Sequence, residues 1–337
     1  MARQQFDTLD GLRGIAALAV LVGHVPDRTF LHLLPTRHLA VDFFFVLSGF
    51  VLAHAYEQRL RGEMGTVEFM VRRYIRLWPL YLLGTFIGLV SLVGHMPPAP
   101  KLLAITSLAI FFVPVLSPRL TLYQQAVFPL NSPAWSLFFE LLANVLYGLV
   151  ARHLTNRRLA AILLVGLILL VGTWARFHEL DAGSTIPHFW GGFGRVVWSY
   201  FAGVAIYRIW LARPSPRLPA WVLAAALVAM FATPWQLIWP LVGFPALVYL
   251  AASAQLDGRT KAAFTWLGTA SYGIYVLQVP MVTVLSRWID MAGPWWTLAF
   301  AALVVVTAIV LDRVFDRPVR RWLEGRILPR ARAAGAT

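Results

Sequence analysis

Ionisable side chains stand inside stretches of this chain that are otherwise apolar, and their types suggest a chemistry. Arg13 and His24 bracket the apolar run of "LDGLRGIAALAVLVGHV" (9–25), and Asp42 opens "AVDFFFVLSGF". Arg72, Arg73 and Arg76 lie in "RRYIRLWP", and Glu140 closes "SPAWSLFFE". Ionisable groups inside a membrane segment are expensive and mark functional sites by default. Arginine forks hold phosphate oxyanions with paired hydrogen bonds. A histidine of near-neutral pKa can take a hydroxyl proton, and a carboxylate on its other nitrogen fixes its tautomer. Together these residues suit transfer between a polyanionic donor and a hydroxyl acceptor. His24 is then the base, and Asp42 or Glu140 orients it, the sequence leaving the two open. Plainer readings compete: His24 as a packing residue at a helix end, Asp42 as a helix N-cap, Glu140 as the counter-ion of an arginine, and Arg72, Arg73 and Arg76 as a topology signal.

The elements that must position these groups are membrane helices. The chain has 337 residues, is 59% hydrophobic and 13% charged, and its apolar residues fall in long continuous blocks. Such blocks, without alternation, read as spanning helices and not as a barrel. They lie near 9–25, 39–56, 77–95, 101–117, 134–151, 159–175, 194–211, 218–233, 235–253, 264–286 and 295–312. The blocks flanking Pro234 form a tight hairpin. If every block crosses from a cytoplasmic N-terminus, Lys and Arg divide about 11 inside to 18 outside, against the positive-inside rule. If 101–117 dips in and returns, the division becomes about 22 to 7. The expectation is an all-α protein of ten crossings with both termini cytoplasmic, and a re-entrant or interfacial helix at 101–117, where Pro114 and Pro118 stop it.

That topology sets depth. At 1.5 Å per residue, Arg13 and His24 are about 16 Å apart along the first span. Arg13 then lies toward the cytoplasm, while His24, Asp42 and Glu140 come to similar depth in the outer half. Composition excludes other chemistry. With no cysteine, the chain forms no thioester on a protein thiol, no disulfide and no thiolate metal site, and no metal ligand set is expected. The net charge of +14 needs no nucleic-acid partner, because the arginines sit between apolar blocks, facing the lipid bilayer's inner surface. "WGGFG" (190–194) lacks the lysine of a phosphate loop, and the small pair in "SGF" (48–50) reads as close helix packing. His32, His38, His178 and His188 read as external loop residues. The first block is expected to be retained, since no small-x-small cleavage site follows it.

The order of "FDTLDGLRGIAALAVLVGHV", "VDFFFVLSGFVLAHAY", "RRYIRLWPLY" and "SPAWSLFFELLANVLY", with weaker echoes in "LGTASYGIYVLQVP" and "DRPVRRWLE", resembles the acyltransferase family 3 integral-membrane proteins. The resemblance implies a ten-span fold and transfer of an acyl group, commonly acetyl, from coenzyme A to a hydroxyl. The implied acceptors are sugars of surface polysaccharides, lipid-linked glycans or peptidoglycan, or small secreted metabolites. No permanently bound cofactor is implied; acyl-CoA, acetyl-CoA in the common case, is a substrate. The family's arginine–histidine motif falls on Arg13 and His24, and its paired-arginine motif on Arg73 and Arg76, which makes Arg13, Arg73 and Arg76 the donor clamps. Its "W-S-L-x-x-E" element falls on Trp135, Ser136 and Glu140, and its aromatic "LSGF" run on Phe44–Phe50. Trp135, Ser136 and Ser48 are candidate substrate contacts and oxyanion donors by type.

Two positions depart from the family pattern: Gln278 stands where relatives often have histidine, and Asp316 where a glutamate is usual. Gln278 can be neither acid nor base. Residues 1–325 are expected to form one membrane domain with a cytoplasmic tail at 326–337, in the bacterial inner membrane, with homo-oligomerisation open. No appended extracytoplasmic domain is expected, so the membrane domain is expected to act alone or to hand the acyl group to another protein. The rival reading is a glycan or small-acid transporter or exporter without acyl transfer; a second is a catalytically dead scaffold.

Overall fold

The structure, a computed structural model, describes residues 6–26, 32–291 and 293–328, and for Arg259 the backbone alone. Most of the expected tail lies outside the described residues. The described chain is helical, with no β-strand among the described residues and only isolated bridges such as Ala126 to Thr185. In chain order the helices are α1 (Asp7–Val22), α2 (Ala40–Arg61), α3 (Thr66–Val90), α4 (Ala99–Ile110), α5 (Ala134–Val150), α6 (Asn156–Phe177), α7 (Gly191–Ala212), α8 (Ala220–Phe231), α9 (Phe244–Ala251), α10 (Gly258–Leu285), α11 (Pro294–Leu311) and α12 (Arg317–Ile327). Five helices, those built on α2, α5, α6, α10 and α11, are long and apolar enough to cross a membrane by length and composition. The polytopic all-α architecture is therefore as the sequence predicts.

Local chemistry starts these helices. Thr155 caps α6 by accepting from the Arg158 N–H, and Asp257 caps α10 by accepting from the Thr260 N–H at 2.7 Å. Asp7 and Asp10 sit in the first turn of α1, where negative charge complements the helix dipole. Two helices start earlier than the apolar blocks suggest. α3 begins at Thr66, so the paired arginines lie inside the helix, and α10 begins at Gly258. Charged turns that lower hydropathy do not break a helix that has a packing face.

α4 has 12 residues, about 18 Å of helix against a hydrocarbon core of about 30 Å. Its last carbonyls are taken by α3: Tyr81 Oη donates to Ala109 O at 2.7 Å, and Trp78 Nε1 to Ile110 O at 3.0 Å. Phe112 then turns to a φ of +55° and the chain leaves helix. The helix ends against α3.

Burial sorts the layers. Of its most apolar window, 67% is buried for α2, against 22% each for α6 and α11, which lie at the outside of the bundle. α1 packs along α10 and α2 along α7. The second pair closes on reciprocal glycines. A Cβ at Gly49 would strike the Tyr200 carbonyl, and one at Gly203 the Val46 carbonyl. The small residue of "SGF" thus serves close packing, leaving Ser48 to face elsewhere. Contacts such as Asp7–Lys261 and Arg208–Glu57 gather the start of α1 and α10 with the ends of α2 and α7 on one face, termed here the basic face.

Candidate active site

One cavity, of about 150 Å3, opens in the centre of the bundle between α1, α2, α3, α5 and α10. Arg13, Arg73 and Arg76 line it together with Ser48, Ser136 and Glu140, so six of the residues singled out by sequence share one wall system. α3 brings Arg73 and Arg76 from a single face, and α1 brings Arg13 by virtue of its close seat on α10.

Each arginine already has an acid. Arg13 pairs with Asp10 at 3.0 Å, its Nε also donating to Ser271 Oγ at 2.8 Å. Arg73 pairs with Glu140 at 3.0 Å, and Arg76 faces Asp316 at 3.7 Å over the ring of Tyr272. Asp316, almost fully buried, also takes Arg320 at 2.9 Å. The aspartate in place of the family's glutamate therefore still reaches Arg76, at longer range. A polyanionic ligand would exchange with these carboxylates, since the three arginines balance three acids.

Glu140 is the hub of the cavity's deep wall. Its Oε1 accepts from Ser48 Oγ at 2.7 Å and from Arg73 Nη2 at 3.0 Å. Beside it Ser136 Oγ and Tyr275 Oη share a hydrogen bond of 2.6 Å. On α2 and α10 the lining residues furthest from the basic face are Phe44 and Tyr275, packed edge to face at 5.4 Å. That contact marks the cavity's far end.

Three expectations are corrected. His24 does not line the cavity and meets neither Asp42 nor Glu140. It stands exposed just past the end of α1, and its Nδ1 lies 2.9 Å from Val20 O. A carbonyl can only accept, so Nδ1 carries the proton and Nε2 is the free base nitrogen of the neutral ring. The backbone does the orienting that a carboxylate was expected to do. Asp42 is neither that carboxylate nor an N-cap. It lies in the first turn of α2, fully buried against Arg195 of α7, with Nη2 to Oδ2 at 2.6 Å and Nε to Oδ2 at 3.1 Å. Trp135 is in the core, with the Arg195 guanidinium 5.1 Å from its ring, and does not touch the cavity. Arg72, on the neighbouring face of α3, holds Glu68 at 2.8 Å and is also outside it.

Sequence reasoning missed Arg195, Asp10, Ser271, Tyr272 and Tyr275. The first had a usable signal: an arginine inside an apolar run demands an acid at its depth, and Asp42 was such an acid. Gln278 is buried, its Nε2 donating weakly to Tyr275 O at 3.4 Å, outside the cavity.

A polytopic helical bundle with arginines and hydroxyls around a central cavity is the frame of a membrane-embedded enzyme or carrier. The chain belongs to the acyltransferase 3 family, whose acyltransferase domain model matches residues 6–313, and it is an acyltransferase. It is similar to protein 2 in the picA locus of Rhizobium radiobacter, 35% identical over 52% of this chain and 97% of that protein. Peptidoglycan O-acetyltransferase OatA of Listeria monocytogenes is 23% identical over 95% of this chain, which spans 56% of that protein's length. Exopolysaccharide production protein ExoZ of Rhizobium meliloti is 26% identical over 83% of this chain and 89% of that protein. No solved structure matches the chain.

Proposed function

We propose that this acyltransferase moves an acetyl group from acetyl-CoA to a hydroxyl of a cell-surface or lipid-linked carbohydrate, or of a secreted metabolite. It does so across a plasma membrane that it spans ten times with both termini cytoplasmic. The observation that carries the reading is the cavity in which Arg13, Arg73 and Arg76 converge on Ser48, Ser136 and Glu140. The names of OatA and ExoZ support a glycan acceptor.

Arg13 and Arg76, nearest the basic face, exchange Asp10 and Asp316 for the donor's phosphates. The pantetheine arm follows Ser271 and Tyr272 inward and passes Phe44 and Tyr275 toward His24. The hydroxyls of Ser136 and Tyr275 are the neutral donors that meet the thioester oxygen as it gains charge. Glu140 holds Arg73 and fixes Ser48 by its hydrogen bonds. His24 Nε2 accepts the acceptor's hydroxyl proton as the acyl carbon bonds to that oxygen and releases the thiolate.

The test is purified protein in nanodiscs with radiolabelled acetyl-CoA, wild type beside His24→Ala. Coenzyme A release by wild type, and its loss in a variant of equal thermal stability, is the expected result. Absence of release from folded wild type, with flux of a labelled glycan in proteoliposomes, would replace this reading by transport.

A further inference from the structure

The acids paired with the three cavity arginines differ in what becomes of them if a phosphate takes their partner. Asp10 is 37% exposed and would turn to water. Glu140 would keep only the Ser48 hydroxyl among its described contacts. Asp316 is 1% exposed and cannot turn to water, and a buried carboxylate stripped of its cation is costly. It has a second cation, however. Arg320 Nη2 lies 2.9 Å from Asp316 Oδ2, whereas Arg76 Nη1 lies 3.7 Å from the same oxygen. The carboxylate is thus already held on the Arg320 side. Arg76 Nη1, itself buried, has no hydrogen-bond partner among the described residues.

Local geometry keeps Arg320 there. Asp312–Asp316 form one π-helical turn between α11 and α12, and both of its aspartates are buried. Turns of this kind recur at functional sites. From the start of α12, Arg320 Nε reaches back to the Asp316 carbonyl at 3.4 Å, and its Nη2 lies 3.5 Å from Asp312 Oδ1. Asp312 is held in turn by Arg317 Nε at 2.6 Å. The π turn and α12 both pack on α3, the helix that carries Arg76. The cluster therefore sets three arginines, Arg76, Arg317 and Arg320, against two aspartates, Asp312 and Asp316. One positive charge is left over, and the member of the cluster on the cavity wall is Arg76.

We propose that Arg320 is a positioning residue for donor binding: it holds the Asp316 carboxylate off Arg76, and keeps it paired when Arg76 takes a phosphate of the donor. This rests on the acyltransferase reading with acetyl-CoA as donor. Arg76 is then the arginine open to an anion from the start, while Arg73 stays with Glu140. The exchange strands no buried charge, because Asp316 gives up a partner at 3.7 Å and retains one at 2.9 Å. Arg320 itself does not touch the donor. Asp316 and Arg320 lie beyond the residues that the family's domain model matches, 6–313, so the C-terminal helix sets donor affinity from outside that core.

The experiment uses the full chain in nanodiscs, acetyl-CoA or S-acetylpantetheine as donor, and water or an added oligosaccharide as acceptor. Arg320→Gln is expected to raise KM for acetyl-CoA roughly 10-fold, because Asp316 then closes on Arg76; that is the lower end of what a hydrogen bond to a charged group is worth. kcat stays within about twofold, since the reacting groups are untouched. With S-acetylpantetheine, which offers Arg76 no phosphate, kcat/KM does not change. Adding Asp316→Asn to Arg320→Gln removes the competing carboxylate and returns KM for acetyl-CoA to within about twofold of wild type. Should Arg320→Gln not fold, Asp316→Asn alone serves: its KM for acetyl-CoA should equal or fall below that of wild type, and a raised KM would refute the relay. An unchanged KM in folded Arg320→Gln would overturn the proposal. So would a double variant no better than Arg320→Gln, which makes Arg320 a phosphate ligand itself, or an equal loss with both donors, which marks damage to the bundle. Folded wild type that releases no coenzyme A, with or without oligosaccharide, overturns the acyltransferase reading itself and is told apart by that control.

Discussion

Removing Asp42 should damage the protein through its partner. Asp42 and Arg195 are fully buried, and the guanidinium also donates to Ala182 O at 2.9 Å and His38 O at 3.0 Å. Asp42→Leu nearly keeps the volume but leaves a buried cation with no counter-ion, a loss of about 3–5 kcal/mol. Arg195→Met strands the carboxylate and also two carbonyls, so it costs at least as much. The double variant Asp42→Leu, Arg195→Met buries no charge. Its cost is the two abandoned carbonyls, about 1–3 kcal/mol each. The double variant should therefore be no less stable than Arg195→Met, with a coupling energy of about 3 kcal/mol. Detergent-solubilised variants would be compared by half-life at fixed temperature as well as Tm, since membrane proteins of this size unfold irreversibly. Coenzyme A release would be measured on the same samples, and the double variant should remain slow because the backbone at Ala182 and His38 has lost its anchor. Additive losses in the double variant would refute the buried-pair argument. A folded double variant with wild-type turnover would cut the link from Arg195 to the site.

Two further expectations follow from contacts already described. Gly203→Ala puts a methyl against the backbone of α2, whose carbonyl cannot yield; overpacking of this kind costs about 1–3 kcal/mol. Gly325→Ala, in α12 with open space around it, should be neutral or stabilise by up to about 1 kcal/mol; equal Tm values for the two would show that α2 and α7 do not meet on these glycines. Asp10→Asn frees Arg13 of a counter-ion that is about a third exposed, at 37%. KM for acetyl-CoA should fall by about 2–5-fold, the worth of an exposed pair, and the difference should shrink with added salt. An unchanged KM at low salt would remove Arg13 from phosphate binding.

The sequence by itself determined the helices, their approximate depth scale and most of the side chains that meet in the cavity. Continuous apolar blocks permit only helices in lipid, and the fixed rise per residue orders residues along each one. Pro114 and Pro118 lie beyond the end of α4, a helix of 12 residues, since proline does not continue a helix. The paired arginines and "SPAWSLFFE" carried Arg73, Arg76, Ser136 and Glu140 into the site. Tertiary structure decided who pairs with whom. Depth along a helix is a local quantity, whereas the partner of a side chain depends on which helices adjoin and at what rotation. Asp42 and Glu140 lie in the early turns of their helices and His24 just past the end of its own, yet α7 takes Asp42 through Arg195 and α3 takes Glu140 through Arg73. His24 turns to its own helix carbonyl. Trp135 shares a helix with Ser136 but points into the core, because adjacent helical residues project about 100° apart. Those outcomes follow from close contacts such as Gly49 on Tyr200, which set each helix's rotation and are fixed only when the whole bundle packs.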